Sequence, residues 1–533
     1  HERFIATMLA GLGPAPAVLF VVAADEGWRR QSAEHLGAID ALGLAHGLLA
    51  VTRSDRADPG AALAAARAEI AGSSLGDLPA VGVSTVTGAG LSELRAALAR
   101  LGAALPAPRT DGRVRLWVDR SFSVRGAGTV VTGTLGAGTL RTGDELVLGD
   151  RRVTVRGLQS LEAEQPRVAA VARVAVNLRG VDADAVGRGD ALCTPNAWRR
   201  TALLDVSCSV DPTTLPTELV AHLGTAALPV RVRPLAPPGA SRTARLTLHH
   251  PWPVEVGDRI VLRDPGRHAV AAGVRVLDVD PPELRRRGAA QTRAATLDRL
   301  PTASPSEVLA EQVRRRGAVT RTELMALGVT VPSTPLVRVS GDWLVDPDVW
   351  AGWQQALAAA VAQRATSTPL DPRLPVDGVA RRLGVPDRVL LVALAEAAGL
   401  RVGDGRVESA ADPVSDLGPA EDGVRWLEHR LRDRPFAAPD RPELDAWGLG
   451  VRELAAAERA GRVLRLDTDL VLLPSGPALA MRTLAGLPQP FTTSAARQAL
   501  DTTRRVVIPL LEHLDRRGWT RRLDPTHREV RRG

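Results

Sequence analysis

The first hundred residues alternate apolar segments with amphipathic ones, and this alternation constrains the fold more than any other feature of the chain. Three apolar segments have the length of buried strands, and three further segments have helical periodicity. The strand segments are 17–23, 47–52 and 80–84, and the helical segments are 31–42, 60–72 and 91–104. Strands that alternate with helices form a parallel sheet with crossover helices. The sequence therefore predicts an α/β domain over residues 1–107.

Two of these strand segments end in polar residues that suit recognition of a guanine base. A carboxylate such as Asp55 accepts hydrogen bonds from the ring N–H and the exocyclic amine of guanine, and the long stem of Arg53 can cover the base. An ordinary strand-end aspartate that caps a helix is the alternative interpretation. The predicted base-binding residues are Thr52, Arg53, Asp55, Ser84, Thr85 and Val86.

No phosphate-binding loop accompanies these residues. The pattern G-x-x-x-x-G-K-[ST] does not occur, the sequence contains no lysine, and it begins at His1 without a methionine. A phosphate-binding loop uses its lysine, its backbone N–H groups and a Ser/Thr hydroxyl on Mg²⁺ to hold the phosphates. We expect the sequence to be an N-terminally truncated version of a longer protein, with a true deletion as the alternative.

From about residue 112 the pattern changes to short strands separated by glycine turns. Val114, Leu116 and Val118 alternate with polar residues, which is the period of a half-buried strand. A Gly-Asp turn precedes a strand at 143–144 and recurs twice later in the chain. Short strands at such regular spacing are typical of β-barrels. A break near Pro195 separates the two predicted barrels, which cover 112–195 and 199–281.

Beyond the predicted barrels the chain becomes helical in short pieces. Residues 282–304 begin at the second proline of the pair Pro281-Pro282, include an arginine-rich stretch at 285–300 and are predicted to form a linker. Further on, a unit recurs about every sixty residues in which a helix ends at a glycine and a pair of short strands follows. This order is typical of the end of a winged helix. The four predicted winged-helix modules cover 305–365, 366–415, 418–476 and 477–533.

Composition narrows the classes of function. The chain carries 68 basic residues, all arginine, against 60 acidic ones, for a net charge of +8. This balance is typical of proteins that bind nucleic acid, although an arginine-only chain also reflects GC-rich coding DNA. Two cysteines are too few for a disulfide framework, and no apolar run is long enough to span a membrane. We therefore expect a cytoplasmic protein without membrane contacts.

Three segments resemble the selenocysteine-specific elongation factors of the SelB family, which are translational GTPases. They are 1–55, 113–133 and 491–523, and the most specific stretch runs from Asp119 and Arg120 through Gly126-Ala127-Gly128-Thr129 to Gly133. The resemblance implies a partial α/β P-loop-type GTPase domain, two β-barrels and tandem winged-helix modules. It also implies delivery of selenocysteyl-tRNA to the ribosome at UGA codons, with GTP as the cofactor.

The resemblance assigns roles to single residues. His1 matches the histidine that positions the hydrolytic water, and we expect Mg²⁺ only in a full-length protein, because this segment alone is not expected to hydrolyse GTP. Asp119, Arg120 and Arg173 would form the pocket for the selenocysteyl group. A selenol is ionised at neutral pH, and a guanidinium group is permanently cationic. Asp119 would either orient an arginine or receive the aminoacyl ammonium; an ion pair at the rim of a barrel is the alternative.

The end of the chain is strongly basic. Residues 504–533 contain nine arginines and four acidic residues. Hydroxyl groups and arginines at the start of a helix suit RNA phosphates, and the resemblance implies binding to an mRNA hairpin. Solvated arginines are the alternative. The predicted RNA-binding residues are Thr503, Arg504, Arg505, Arg521 and Arg522.

Two other classes of function remain open at this point. One is a different translational GTPase, and the other is a non-enzymatic RNA-binding adapter, if the deletion is genuine. On the SelB interpretation, the expected partners are selenocysteyl-tRNA, an mRNA hairpin and the ribosome, and the protein is expected to be a monomer.

Overall fold

The structure is a computed structural model. It describes residues 8–9, 11–13, 15–126, 128–267, 269–333, 335, 337–368, 370–409 and 417–531. The chain divides into two compact units, His1–Val345 and Asp346–Gly533, and each is treated by itself. Across the described ranges, no helix is both long enough and apolar enough to cross a membrane.

A three-stranded parallel sheet opens the first unit, with its strands in chain order. The middle strand is buried on both faces, as parallel strands in α/β domains usually are. The strands are Val18–Ala23, Gly47–Thr52 and Ala80–Gly82, and the helices are Arg30–Ala41, Pro59–Ala71 and Leu91–Ala104. The sequence prediction for this region is confirmed, with each end within two residues.

The first barrel is a ring of six antiparallel strands. The strand Ala172–Arg179 pairs with both Gly128–Leu135 and Arg151–Ser160, and this double pairing closes the ring. Its interior is apolar and includes the fully buried Leu116, Val131 and Leu192. The other ring strands are Arg115–Val124, Glu145–Leu148 and Ala191–Cys193, and the short flanking strands are Thr139–Arg141, Ala163–Gln165 and Arg167–Ala169.

The second barrel is also a closed ring of six strands. Its core extends beyond its own strands, because Trp117 of the first barrel and Leu309 and Leu324 from the following helices belong to the same buried cluster. The strands are Arg200–Cys208, Glu218–Leu223, Ala226–Pro234, Thr243–Pro253, Arg259–Asp264 and Ala269–Asp278. The prediction of two barrels is confirmed.

The segment 282–304 is packed against the second barrel, so the prediction of a linker is wrong. It contains the helix Ala289–Leu297, whose Arg293 is only 7% exposed. Arg293 Nε lies 2.8 Å from Asp205 Oδ2, and its Nη2 contacts the carboxylate of Asp278. Both carboxylates are buried in the barrel, and a buried carboxylate needs a cationic partner. The arginine content of this segment therefore reflects pairing as well as exposure to solvent.

The first winged-helix-like module lies in the first unit, and the predicted boundary at 365 is wrong. That position falls inside the helix Pro347–Ser367, which belongs to the second unit. Asp346 caps this helix by accepting hydrogen bonds from two backbone N–H groups, and Pro347 occupies its first turn. The module consists of the helices Pro305–Arg316 and Arg321–Leu327 and the strands Ala318–Thr320, Arg338–Ser340 and Trp343–Val345.

The second unit contains Pro347–Ser367 and three further modules of helices followed by short strands. The first module holds Leu374–Pro375, Val376–Leu383, Arg388–Ala397, Leu400–Gly403 and Arg406–Ser409. The next holds Glu421–Asp433, Arg441–Ala446, Val451–Arg459, Leu464–Asp467 and Leu470–Leu472. The last holds Gly476–Ala485, Phe491–Thr492, Thr493–Ala499, Arg504–Arg516, Thr520–Arg522 and His527–Val530. The last two modules share one apolar core, to which Leu472 and Leu510 both belong.

Candidate functional site

The loops that follow the second and third strands of the parallel sheet lie side by side. Ser84 Oγ donates a hydrogen bond to Asp55 Oδ1 at 2.5 Å, and the N–H of Ser54 donates to the carbonyl of Val83 at 3.2 Å. Ser84 is buried and Asp55 is exposed. No ion pair of Asp55 occurs within the described part of the chain. Ser84 therefore fixes the carboxylate while leaving Asp55 Oδ2 open to a ligand.

The same hydroxyl shapes the turn that follows the third strand. Ser84 Oγ accepts hydrogen bonds from the N–H groups of Val86 and Thr87, each at 3.2 Å. Thr85 is exposed, and the side chain of Val86 is 82% exposed. Thr52 donates through Oγ1 to the carbonyl of Val22 at 3.4 Å. The structure thus brings the predicted base-binding residues of both loops to one edge of the sheet.

The charge of Arg53 is already paired within the chain. Its backbone is left-handed, with φ 58°, and its Nη1 lies 2.8 Å from Glu26 Oε1 and 3.2 Å from Asp25 Oδ1. Hydrogen bonds to Glu26 and Asp25 raise the pKa of Arg53. Desolvation raises the pKa of Asp25, but hydrogen bonds and attraction from Arg53 outweigh it, so that pKa is lowered. The aliphatic stem of Arg53 is what remains to cover a base.

The predicted catalytic residue, His1, lies outside the described residues. No group of three or more histidine, cysteine or acidic side chains that could hold a metal ion occurs in the described ranges.

Asp119 and Arg173 form an ion pair on the outer face of the first barrel. Arg173 Nη1 contacts Asp119 Oδ2, and Thr132 Oγ1 donates to Asp119 Oδ1 at 2.5 Å. The side chain of Asp119 is 13% exposed, whereas that of Arg173 is 58% exposed. Each carboxylate oxygen thus already has a partner. Asp119 holds the guanidinium group in place, and much of that group faces solvent.

A β-bulge produces this arrangement. Val118 pairs with Gly133 and Arg120 pairs with Thr132, so Asp119 is the extra residue between them. A bulge re-aims the side chain at the extra position. Arg120 is exposed, and no hydrogen bond or ion pair of its side chain occurs in the described residues. The structure therefore joins Asp119 to Arg173, and Arg120, the next residue along the chain from Asp119, is a solvent-facing cation.

Thr132 is a member of this site that the sequence analysis missed. It lies in the glycine-rich strand that carries the family resemblance, but its partner is set by the pairing register of two strands. The pairing places Thr132 opposite Arg120 and not opposite Asp119, so no local sequence pattern predicts this contact.

Asp119 also lines a cavity of about 460 Å³ between the α/β domain and the two barrels. This volume is in the usual range for sites that bind small molecules, roughly 300–1,000 Å³. Arg115 is anchored in its wall by a bidentate pair with Asp258, with both N–O distances 2.6 Å. The charged lining residues are Arg109, Arg113, Arg115, Asp119, Glu255, Asp258 and Arg259. The Asp119–Arg173 pair therefore lies at the edge of an interdomain cavity.

At the start of the helix Arg504–Arg516, the predicted RNA-binding residues fall into two groups. Thr503 is the exposed N-cap residue and makes no capping hydrogen bond, and Arg504 is exposed. Arg505 instead donates to the carbonyls of Ala438 and Pro439, both at 2.7 Å. Arg505 thus docks the terminal module onto the preceding one.

The strand pair at the end of the chain rests on a buried polar network. Thr520 Oγ1 donates to Asp515 Oδ1 at 2.6 Å, and Arg528 Nε donates to Asp515 Oδ2 at 2.9 Å. Above this network, Arg521 pairs with Glu529 at 2.6 Å, and Arg522 Nε donates to a backbone carbonyl at 3.2 Å. Both arginines are exposed but have intramolecular partners. The network, which the sequence analysis missed, fixes the strands on the last helix.

Two family models match segments of this chain. The model described as "Elongation factor SelB, winged helix" matches residues 482–528, in the terminal module. The model described as "Selenocysteine-specific elongation factor, beta-barrel domain" matches residues 212–283, which cover most of the second barrel.

Curated relatives agree with these matches. A selenocysteine-specific elongation factor from Desulfomicrobium baculatum is 34% identical over 340 residues, which cover 61% of this chain and 53% of the relative. The chain is thus similar to selenocysteine-specific elongation factors of the SelB family over both matched segments and over this longer alignment. Another relative with the same name, from Haemophilus influenzae, is 29% identical over 297 residues, or 54% of this chain and 47% of the relative. The chain spans about half the length of the curated relatives it matches.

A solved structure shares the architecture. The crystal structure of the bacterial selenocysteine-specific elongation factor EF-Sec matches with a TM-score of 0.73 at 21% identity, covering 100% of this chain and 89% of that chain. At this identity the likeness concerns the fold. It confirms the predicted fold class of an α/β GTPase-type domain, two barrels and winged-helix modules.

Proposed function

We propose that this chain belongs to a translation factor that binds GTP and selenocysteyl-tRNA and delivers the tRNA to the ribosome at UGA codons. The observation that carries the proposal is the exposed guanidinium group of Arg173, which forms an ion pair with Asp119. Arg120, which is also exposed, has no side-chain partner among the described residues. The relatives named as selenocysteine-specific elongation factors support the same assignment.

The site is suited to distinguishing selenocysteine from serine by charge. The selenol is ionised at neutral pH and serine is neutral, so only the selenolate gains charge-assisted hydrogen bonds from Arg173 and Arg120. Such bonds contribute about 1.5–3 kcal/mol each, which corresponds to roughly a tenfold to hundredfold preference. Each oxygen of Asp119 already has a partner. Asp119 is therefore better placed to position Arg173 than to receive the aminoacyl ammonium.

The two loops at the edge of the sheet would hold the guanine base of GTP. The open oxygen of Asp55 would accept from the donors of the base, Ser84 would keep that carboxylate in place, and the stem of Arg53 would cover the ring. GTP hydrolysis, when the nucleotide is bound, supplies the free energy that releases the factor. His1 and Mg²⁺ belong to the phosphate-binding part of that chemistry.

The terminal module would bind the phosphates of an mRNA hairpin. Thr503 and Arg504 are the strongest candidates, because they stand at a helix N-terminus and their polar groups have no side-chain partner among the described residues. Arg505, Arg521 and Arg522 have intramolecular partners, so we expect weaker contributions from them.

The test compares binding to one tRNA charged with selenocysteine or with serine, in the presence of GTP. The DNA upstream is first read in frame for a G-x-x-x-x-G-K-[ST] loop, and the assay uses the protein that includes it. We expect a strong preference for selenocysteine that Arg173→Ala and Arg120→Ala reduce. Arg152→Ala is the matched control, because Arg152 is an exposed arginine of the same barrel, paired with Glu145.

The outcomes separate the remaining alternatives. Equal affinity for the two charged tRNAs would contradict the anion site and favour a different translational GTPase. The absence of an upstream phosphate-binding loop, together with hairpin binding by the terminal module, would favour a non-enzymatic RNA-binding adapter.

A further inference from the structure

A second cavity lies between the two barrels and, of the described residues that line it, shares only Trp117 and Trp198 with the first cavity. Its volume is about 340 Å³, and strands of both barrels line it, including Val147 from the first and Pro253 from the second. Small-molecule sites occupy roughly 300–1,000 Å³ and are frequent at domain interfaces. The size of this cavity fits a small ligand of one or two fused rings.

Three tryptophans give the cavity a rigid aromatic wall. The rings of Trp117 and Trp252 meet edge to face, with centroids 6.0 Å apart and planes at 73°. The guanidinium carbons of Arg113 and Arg115 lie 3.9 and 4.4 Å from the ring centroid of Trp198. Packing of this kind fixes the indole rings before any ligand arrives, and fixed aromatic rings favour a flat ligand that stacks on them.

Cationic side chains accompany the aromatic wall. Arg188 and Arg200 line the cavity and are exposed. Arg200 lies 3.7 Å from Asp150, whose carboxylate is entirely exposed, and an ion pair of this kind contributes little. Burial raises the pKa of Cys193 to about 11, so the thiol in this cavity stays neutral. Asp190 also lines the cavity, and its carboxylate accepts a hydrogen bond from the N–H of Gly187 at 2.8 Å.

We propose that this cavity binds a flat aromatic molecule that carries one anionic group. The ring packs against the wall that Trp117, Trp198 and Trp252 form, and the carboxylate or phosphate contacts Arg200. Because strands of both barrels line the cavity, the ligand also links the barrels and stabilises them against unfolding.

Three probes separate the features of the ligand. Indoleacetate carries a carboxylate, adenosine monophosphate carries a phosphate, and indole is the uncharged counterpart. Each is titrated into the whole chain and followed by calorimetry and by the melting temperature of the barrels. We expect at least one acid to bind about tenfold more tightly than indole, since a hydrogen bond to a charged group adds about 1.5–3 kcal/mol. The acid that binds more tightly identifies the anionic group.

Variants locate the binding in the cavity. Arg200→Gln should reduce the affinity for the preferred acid about tenfold and leave indole unchanged. Arg199→Gln is the matched control, because the neighbouring Arg199 is exposed and paired with Asp280. Ala227→Phe, at an exposed lining residue, fills the cavity and should abolish binding of all three probes without lowering the melting temperature of the free protein.

Three results would overturn the proposal. The first is that neither acid binds more tightly than indole. The second is that Arg199→Gln loses as much affinity for the acid as Arg200→Gln. The third is that the probes bind Ala227→Phe as tightly as they bind the unchanged chain.

Discussion

Asp55 and Asp119 each accept a hydrogen bond from a hydroxyl group, but only Asp55 has a carboxylate oxygen without an intramolecular partner among the described residues. Asp55 accepts from Ser84 Oγ and Asp119 accepts from Thr132 Oγ1, each at 2.5 Å. Asp55 is exposed and has no ion pair within the described part of the chain, whereas Asp119 is 13% exposed and paired with Arg173. In both places a hydroxyl group fixes one oxygen of the carboxylate. The two sites differ in whether the second oxygen has a partner. We propose that the open carboxylate accepts from a ligand and that the paired one positions a cation for an anionic ligand.

The largest effect is expected from Asp55→Asn. An amide places a donor where the carboxylate accepts, so one hydrogen bond to guanine becomes a repulsive contact. We expect the affinity for GDP to fall about a hundredfold or more, in line with the cost of losing charged hydrogen bonds. The affinity for the corresponding xanthine nucleotide, whose base carries a carbonyl in place of the exocyclic amine, should fall much less. Nucleotide titrations on protein that includes a phosphate-binding loop measure both, and an unchanged GDP affinity would remove Asp55 from the site.

Asp119→Asn tests the positioning role of the paired carboxylate. The amide keeps the shape but loses the charge that holds Arg173. If Asp119 positions Arg173, the preference for selenocysteyl-tRNA over seryl-tRNA should fall about tenfold while seryl-tRNA affinity stays constant. An equal loss for both charged tRNAs would instead show that Asp119 binds the ammonium group that they share. Equilibrium binding of the two tRNAs to both proteins measures the difference.

A matched pair of smaller changes removes the hydroxyl groups, with Ser84→Ala in one site and Thr132→Val in the other. Each leaves its carboxylate without one neutral hydrogen bond, which typically contributes about 0.5–1.5 kcal/mol. We expect a twofold to tenfold loss of guanine affinity for the first and a similar loss of selenocysteine preference for the second. Each variant should leave the other site unchanged. Effects that cross between the sites would mean that the substitutions disturb the fold.

The smallest effect is expected from Asp25→Asn. Asp25 and Glu26 hold the exposed guanidinium group of Arg53, and exposed ion pairs contribute little. The pKa of Asp25 is lowered by Arg53, so the pairing is lost when acid protonates Asp25 below its ordinary range. At neutral pH we expect less than a twofold change in guanine affinity. A larger loss, measured by the same nucleotide titration, would show that the charge of Arg53 matters beyond its stem.

The two aspartates also differ in how far the sequence predicted them. Asp55 follows an apolar strand, and the position itself indicates a functional residue at the edge of a parallel sheet. The pairing of Asp119 with Arg173 could be anticipated only from the family resemblance. Its third member, Thr132, depends on the register across a bulge, which no local pattern reveals.

The errors in domain organisation have similar physical causes. Arg293 lies in an arginine-rich segment and forms ion pairs with the buried carboxylates of Asp205 and Asp278. These aspartates come from two strands distant in the sequence, so the local sequence does not predict the pairing. The module boundary was predictable in principle. Asp346 followed by Pro347 is a helix-start signal that outweighs the sixty-residue spacing of the repeats.

The central claim is that the Asp119–Arg173 site recognises the charge of the amino acid. The most direct test compares one tRNA that carries selenocysteine with the same tRNA that carries cysteine, both in a stable amide linkage, from pH 6 to pH 10. Cysteine has the same shape but a thiol with a pKa of about 8.5. We predict a strong preference for selenocysteine near neutral pH that shrinks as the thiol ionises above about pH 8.5. A preference that does not change with pH would contradict recognition by charge.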